Sequence, residues 1–297
     1  MKVLIIQLRQ LGDVLLSTPL ARALKEKGVR VHFLTSEVGR DIVEGNPFID
    51  GIETLKEGSR ELPKTALALR KEGFDAVIDA QRTGRSRLIT LLSGAPLRVA
   101  FRKERGNLFY NRLVEWENRG YTAWERLKLL EGLGLKVESY RNYLPEIYKI
   151  PENPFKGREY AVIVPTARKS HKMWPAEKFA ELAAELRKEM EVIVLFGPGE
   201  REAALKVNEL AGGGLTVPES PFPIKAAAAV MKGAGVVIGN NSFAPHLAVA
   251  VGSKVVVIDK KRSGWFPPIE RVREVYGNNS FPEVEQVKEA VAQLLNG

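Results

Sequence analysis

Val3-Leu-Ile-Ile-Gln-Leu-Arg-Gln-Leu-Gly-Asp-Val-Leu-Leu-Ser-Thr-Pro19 is the stretch on which the fold turns. Val3–Ile6 is apolar at every position, the pattern of a strand covered on both faces, and Val14–Lys27 has helical spacing. A polar turn containing Gly12-Asp13 joins them. The unit recurs: Arg30–Leu34 reads as a strand, Leu62–Lys71 as a helix, Asp75–Asp79 as a strand, Ser86–Leu92 as a helix, Arg98–Phe101 as a strand and Trp124–Gly132 as a helix ended by glycine. Such alternation predicts a mostly parallel sheet with helices on both faces.

Tyr143–Phe155 then places three prolines in thirteen residues, which interrupts helix and central strand alike and reads as an interdomain linker. Alternation restarts with a strand at Tyr160–Val164, a helix at Ala176–Glu189 and a strand at Val192–Phe196. It continues through Glu200–Leu210, Ile224–Lys232, Val236–Ile238, Ala244–Val251 and Val255–Ile258. The expected organisation is a Rossmann-like domain over 1–150 and a second over 156–281. A final helix within 282–297, with Val284, Val287, Val291, Leu294 and Leu295 on one stripe, is expected to pack back on the first. The fold class is α/β, two doubly wound parallel-sheet domains facing a central cleft, where the carboxyl ends of strands bind ligands.

The 297 residues include 45 Lys+Arg and 36 Asp+Glu, a net charge of +9, with three histidines and no cysteine. The lack of cysteine excludes disulfides, a thiolate nucleophile and Cys-ligated metal. His32, His171 and His246 lack metal-ligand spacing. The apolar run after Met1 is too short for a signal-peptide core, and no stretch approaches the ~18 apolar residues of a membrane span, so a cytoplasmic protein is expected. Residues 81–112 hold seven arginines and Lys103 against Glu104 alone. Arginine forks suit carboxylates and phosphates, so this segment reads either as a site for an anionic partner or as a solvated basic loop. Aromatic interleaving is sparse, which disfavours nucleic acid.

Four loops carry candidate chemistry. Asp13 is either a helix cap or a general base at the mouth of a helix. The loop Pro165-Thr-Ala-Arg-Lys-Ser-His-Lys-Met-Trp-Pro175 reads as a pyrophosphate site or as plain surface. Phe196-Gly-Pro-Gly-Glu-Arg-Glu202 begins like a dinucleotide fingerprint but has Glu202 at the third glycine, which disfavours a nicotinamide site. Its Glu200 either accepts from ribose hydroxyls or favours a helix start. Gly239-Asn-Asn-Ser-Phe-Ala-Pro-His246 opens a helix with small polar donors, and His246 is either a phosphate donor or a packed ring.

Taken in order, Leu11-Gly12-Asp13 with Thr18-Pro19, Lys172-Met-Trp-Pro175, Phe196-Gly-Pro-Gly-Glu200 and Gly239-Asn-Asn-Ser-Phe-Ala-Pro-His-Leu-Ala248 resemble the lipopolysaccharide heptosyltransferases, inverting glycosyltransferases of the GT-B fold. The resemblance implies that the second domain binds ADP-heptose and the first a Kdo-bearing, lipid-linked acceptor. It implies Asp13 as base and Lys172 as leaving-group stabiliser. Thr166, Lys169, Glu200, Asn241, Ser242 and His246 would meet the donor, and Arg82, Arg85, Arg102 and Arg105 the acceptor. No metal or cofactor is expected beyond the nucleotide sugar, and peripheral contact with the cytoplasmic face of the inner membrane is. The chain departs from the family pattern at Asn241 and Phe243, where Asp and Gly are usual. That leaves open another nucleotide-sugar donor, an epimerase or hydrolase, or a non-catalytic anion-binding protein.

Overall fold

Strand β1 (Lys2–Ile6) owes its central position to its composition, since Val3, Leu4, Ile5 and Ile6 all bury completely. In the computed structural model, which describes residues 1–56, 58 and 61–296, β1 pairs in parallel with β2 (Arg30–Ser36) on one side and β4 (Ala76–Asp79) on the other. With β3 (Gly51–Leu55), β5 (Leu97–Phe101) and β6 (Arg112–Val114) the sheet order is β3-β2-β1-β4-β5-β6. Its helices are α1 (Leu11–Leu15), α2 (Thr18–Glu26), α3 (Glu37–Val43), α4 (Glu61–Lys71), α5 (Gly84–Leu92) and α6 (Thr122–Arg126).

The single helix expected over Val14–Lys27 is divided into α1 and α2. Pro19 lacks an N–H for the carbonyl of Leu15, four residues back. The Thr18 hydroxyl donates to that carbonyl instead, at 2.8 Å, so the interruption leaves no orphaned acceptor. The helix expected at Trp124–Gly132 begins earlier, as α6, and tightens into a 3-10 run over Leu127–Leu133. It ends not at Gly132 but at Gly134, whose φ of 74° closes the turn. Gly132 serves another need: a Cβ there would lie 2.4 Å from Val99 Cγ1.

The chain divides into compact units at Met1–Lys149 and Ile150–Gly297, inside the proline-rich stretch. The second unit has a parallel sheet of order β11-β10-β9-β7-β8, from β7 (Tyr160–Val164), β8 (Glu191–Val194), β9 (Val236–Asn240), β10 (Val255–Asp259) and β11 (Val272–Tyr276). Helices α7 (Ala176–Leu186), α8 (Arg201–Leu210), α9 (Ile224–Gly233), α10 (Phe243–Ala250) and α11 (Val284–Asn296) cover it. One core cluster joins Phe179 and Leu182 of α7 to Val192, Val194 and Val256 of the sheet.

The terminal helix corrects the sequence reading. Val284, Val287, Val291 and Leu294 of α11 belong to that second-unit core, against α7 and the β9–β11 side of the sheet. The stripe expected to return to the first domain is therefore consumed within the second. No helix among the described residues is long and apolar enough to cross a membrane. Leu294→Ala should destabilise the second unit by about 2–3 kcal/mol. Native-state hydrogen exchange checks the allocation: protection should fall for the amides of β7–β11 and stay unchanged for those of β1–β6.

Candidate functional site

In a doubly wound sheet, ligands bind beyond the carboxyl ends of the strands where the winding direction reverses. In the second unit that point lies between β7 and β9. The loop leaving β7 holds Thr166, buried, then exposed Arg168 and Lys169, then a 3-10 turn (Ser170–Lys172) with Lys172 half-buried. Among the described residues none of Arg168, Lys169 and Lys172 forms an ion pair, so three cations crowd one short loop without local neutralisation.

The loop is anchored by a residue that sequence reading offered as a phosphate donor. Asn240, fully buried at the end of β9, accepts from the Trp174 backbone N–H and donates to the Pro165 carbonyl, both at 2.8 Å. It ties both ends of the cationic loop to the neighbouring strand and has a structural task. Trp174 completes the anchor by donating Nε1–H to the Pro282 carbonyl at 2.9 Å and packing edge-on against Phe179.

Beside that loop α10 begins. Ser242 occupies the N-cap position with extended backbone, but its side chain does not cap the helix. Asn241 donates from Nδ2 to Asp259 Oδ2 at 2.6 Å, bracing the end of β9 against the end of β10. This accounts for an amide at 241: a carboxylate there would face that of Asp259 without a proton to share. The His246 ring, in the first turn of α10, stacks on Phe266 with centroids 4.2 Å apart and planes 7° from parallel, the packed alternative of the sequence reading. Glu200 sits at the N-cap position of α8 and folds back, Oε2 accepting from the Gly197 N–H at 2.9 Å. One of its oxygens thus holds the glycine turn.

The first unit reverses between β1 and β4. Asp13 lies inside α1 and does not cap it, since the N-cap position belongs to Gln10. Its Oδ1 instead accepts from Arg126 Nη2, while Arg126 Nη1 donates to the Asp13 carbonyl and, at 2.7 Å, to Ser17 Oγ. The Arg126 side chain is 9% exposed and that of Asp13 26%, so the cation is within the unit and the carboxylate reaches its surface. Sequence reading missed Arg126, which lies outside the arginine-rich segment and on an unremarkable helix. Nearby, Gln81 Oε1 accepts from the backbone N–H groups of Leu8 and Arg9 at 2.6 and 3.0 Å, fastening the loop after β1 to the loop after β4.

Asp79 is the buried centre of this region. It accepts from the N–H groups of Gln81 and Arg82 at 3.0 and 2.8 Å and from the Tyr110 hydroxyl at 2.7 Å. Burial pushes its carboxyl up from the ordinary value, and these donors oppose that rise. Burial, reinforced by the Asp79 charge, also pushes the Tyr110 phenol up.

The four arginines expected to meet an acceptor separate here. Arg82, with a positive φ of 59°, is buried. Its guanidinium donates to the Phe101 carbonyl and, at 3.0 Å each, to the Arg105 carbonyl and Asn107 Oδ1, and it lies 4.9 Å over the Tyr110 ring. It is an internal clamp, which corrects its assignment to ligand binding. Arg102 pairs with Glu115. Arg85, half-buried, and Arg105, exposed, form no ion pair among the described residues.

The description matching the chain is glycosyltransferase family 9 (heptosyltransferase), over residues 63–294. Lipopolysaccharide heptosyltransferase 1 of Campylobacter coli is 24% identical over 287 residues, 87% of this chain and 83% of that protein. The structure of a family 9 glycosyl transferase from Veillonella parvula superposes with a TM-score of 0.86 at 20% identity, over 99% of this chain and 97% of its own. The E. coli heptosyltransferase WaaC with ADP-2-deoxy-2-fluoro heptose gives 0.75 at 20% identity, over 100% and 99%. Both neighbours share this two-unit parallel-sheet fold.

Tyr110→Phe should expose the cost of Asp79. A buried carboxyl whose folded value is raised opposes folding while ionised, and the penalty fades as pH falls through the folded value. Removing the phenol donor should cost about 1.5–3 kcal/mol at neutral pH, the range for a hydrogen bond to a charged group. Urea denaturation of variant and parent from pH 7 downwards should show that difference shrinking on acidification, whereas a constant difference would assign the loss to packing alone.

Proposed function

The chain belongs to glycosyltransferase family 9, the heptosyltransferases, and we propose that it transfers a heptose from ADP-heptose, with inversion, to a hydroxyl of the Kdo-containing inner core of lipopolysaccharide. The observation carrying the mechanism is the carboxylate of Asp13, gripped through one oxygen by Arg126 at the switch point of the first unit. A base must be ionised, aimed and reachable. Arg126 supplies aim, and the partial exposure of Asp13 supplies access.

In this reading Asp13 takes the proton of the acceptor hydroxyl as that oxygen bonds to the anomeric carbon. The bond from that carbon to the diphosphate oxygen breaks on the opposite face, and its electron pair leaves with ADP. Negative charge grows on the diphosphate, which Lys172 and Lys169 can stabilise because no local carboxylate neutralises them. Thr166, Ser242 and the first turn of α10 lie at the same switch point and would supply hydrogen bonds. Asn241 would act through its brace to Asp259, His246 through its stack on Phe266, and Glu200 through its second carboxylate oxygen toward the ribose. Acceptor carboxylates and phosphates would meet Arg85 and Arg105. The donor assignment is supported by the ADP-heptose analogue on the E. coli neighbour, and lipopolysaccharide as the acceptor class, though not its Kdo region, by the name of the Campylobacter relative. Such a reaction takes place on the cytoplasmic side.

Asp13→Asn should lower kcat by about 10²–10⁴, the range of general base catalysis, while ADP affinity stays near the parent's. Radiolabelled sugar transfer with calorimetry measures both, and a variant retaining a tenth of parental kcat would remove Asp13 from the role. Arg126→Lys keeps the charge and loses the two-pronged grip. It should lower kcat by roughly 10–100-fold with donor KM little changed, since small misplacements of a reacting group cost about that much. A drop confined to KM would count against a positioning role. Selective thermal stabilisation by ADP over UDP and GDP tests the donor class.

A further inference from the structure

The loop after β10 is tied to α10 at both of its ends. At its start Asp259 accepts from Asn241, the residue before the α10 N-cap, at 2.6 Å. At its far end the buried Phe266 stacks on His246 of the first turn of α10. Residues 260–266 therefore run as a strap beside the start of α10, one strand away from the β7–β9 switch point.

The middle of the strap is fixed by an acid. Glu274 of β11, half-buried, accepts from the Ser263 hydroxyl at 2.6 Å, and the Ser263 oxygen in turn accepts from the Trp265 N–H at 3.2 Å. Burial pushes the Glu274 carboxyl up from its ordinary value, and its hydrogen bonds from Ser263 oppose that rise. A carboxylate is thus drawn partly out of water to hold one turn of a surface loop. The residue that this turn presents is Trp265. Trp124 and Trp174 are buried, whereas Trp265 is 38% exposed although its neighbour Phe266 is 2% exposed. Phe243 adds a second ring. It opens α10, is half-buried, and precedes His246 by three residues, so it shares the side of the helix that faces Phe266 and the strap.

A nucleotide sugar is a chain of nucleoside, diphosphate and sugar. With the ribose toward Glu200, beyond β8, and the diphosphate at the first turn of α10, the sugar falls on the opposite side. In the sheet order β10-β9-β7-β8 that is the side of the strap. Aromatic rings offer a sugar a broad apolar face for its C–H groups and leave its hydroxyls to polar neighbours. We propose that Trp265 and Phe243 form the wall against which the sugar of the nucleotide-sugar donor packs, and that Glu274, through Ser263, is the positioning residue that sets Trp265. The inference rests on the donor reading of the second unit and is independent of Asp13 and of the acceptor.

The test is calorimetry of the full chain with ADP and with ADP-heptose. Trp265→Ala should weaken ADP-heptose about tenfold while ADP stays within about twofold of the parent. Trp265→Phe keeps an aromatic face and should restore most of the loss. Ser263→Ala removes both hydrogen bonds of the turn and should weaken ADP-heptose in the same selective way, whereas Glu274→Gln keeps an acceptor for the Ser263 hydroxyl and should bind it nearly as the parent does. Parental ADP-heptose affinity in Trp265→Ala, or an equal loss for ADP and ADP-heptose, would overturn the wall. Parental binding by Ser263→Ala would remove Glu274 from its role. A parent chain that bound neither ligand would overturn the donor reading and the wall together, whereas a parent that binds ADP-heptose, with variants that match it, removes the wall alone.

Discussion

A parallel sheet sandwiched between helices has no dry place along its strands for a polar side chain, and that constraint organises both units. From Val3 in β1, from Ala161 in β7 and from Val236 in β9 the residues before the last position are apolar or glycine and almost wholly buried, so hydrogen-bonding side chains along these stretches emerge where the strands end. Asp79 closes β4, Asn240 closes β9 and Asp259 closes β10. The chemistry is thereby confined to the loops beyond these ends, and the loops must be held by whatever polar groups the strand ends provide.

The units solve that problem with different groups. Asn240 is neutral, carries both donor and acceptor groups, and matches two backbone partners across the β7–β9 switch point. Both bonds are made without charge, so the anchor adds no negative charge beside the cationic loop. Asp79 offers only acceptors when ionised, and three donors converge on it, at the cost of a buried charge. The gain is reach: through Gln81 the same turn holds the loop after β1, and through Arg82 the loop after β5. A neutral residue could not gather so many donors at one point.

What the sequence discloses follows from burial. Central strands such as Tyr160–Val164 are legible because both faces demand apolar residues. Strands β3, β6 and β11 are missed because they lack a continuous apolar run: Gly51-Ile-Glu-Thr-Leu55 mixes polar and apolar residues, whereas β8, also at the end of its sheet, keeps such a run and is legible. The order of loops and the position of Asp13 are legible because each loop follows a readable strand. The partners are not: Arg126 is 113 residues from Asp13, and Asp259 is 18 from Asn241, with nothing local to mark either pairing. The direction taken by α11 is hidden for a related reason, since an amphipathic stripe states that a helix must be covered but not by which sheet.

The arginine-rich segment shows why composition overstates binding. Guanidinium is chosen for two unrelated reasons: it carries charge outward, and its planar fork can satisfy several carbonyls at once inside a fold. Arg82 belongs to the second class, as does Arg98, which donates to the Phe109 and Ala95 carbonyls. A lysine at either place would bring a compact charge without the fork, leaving carbonyls unmatched. Removing these from the count lowers the apparent ligand-binding charge without making the residues irrelevant to it. The backbone carbonyl that Arg82 grips is that of Arg105 itself, so the buried arginine sets where the exposed one stands, and Leu108 rides on the same loop. The scaffold arginines and the surface cations are therefore one construction, in which internal hydrogen bonds fix the geometry of an external field.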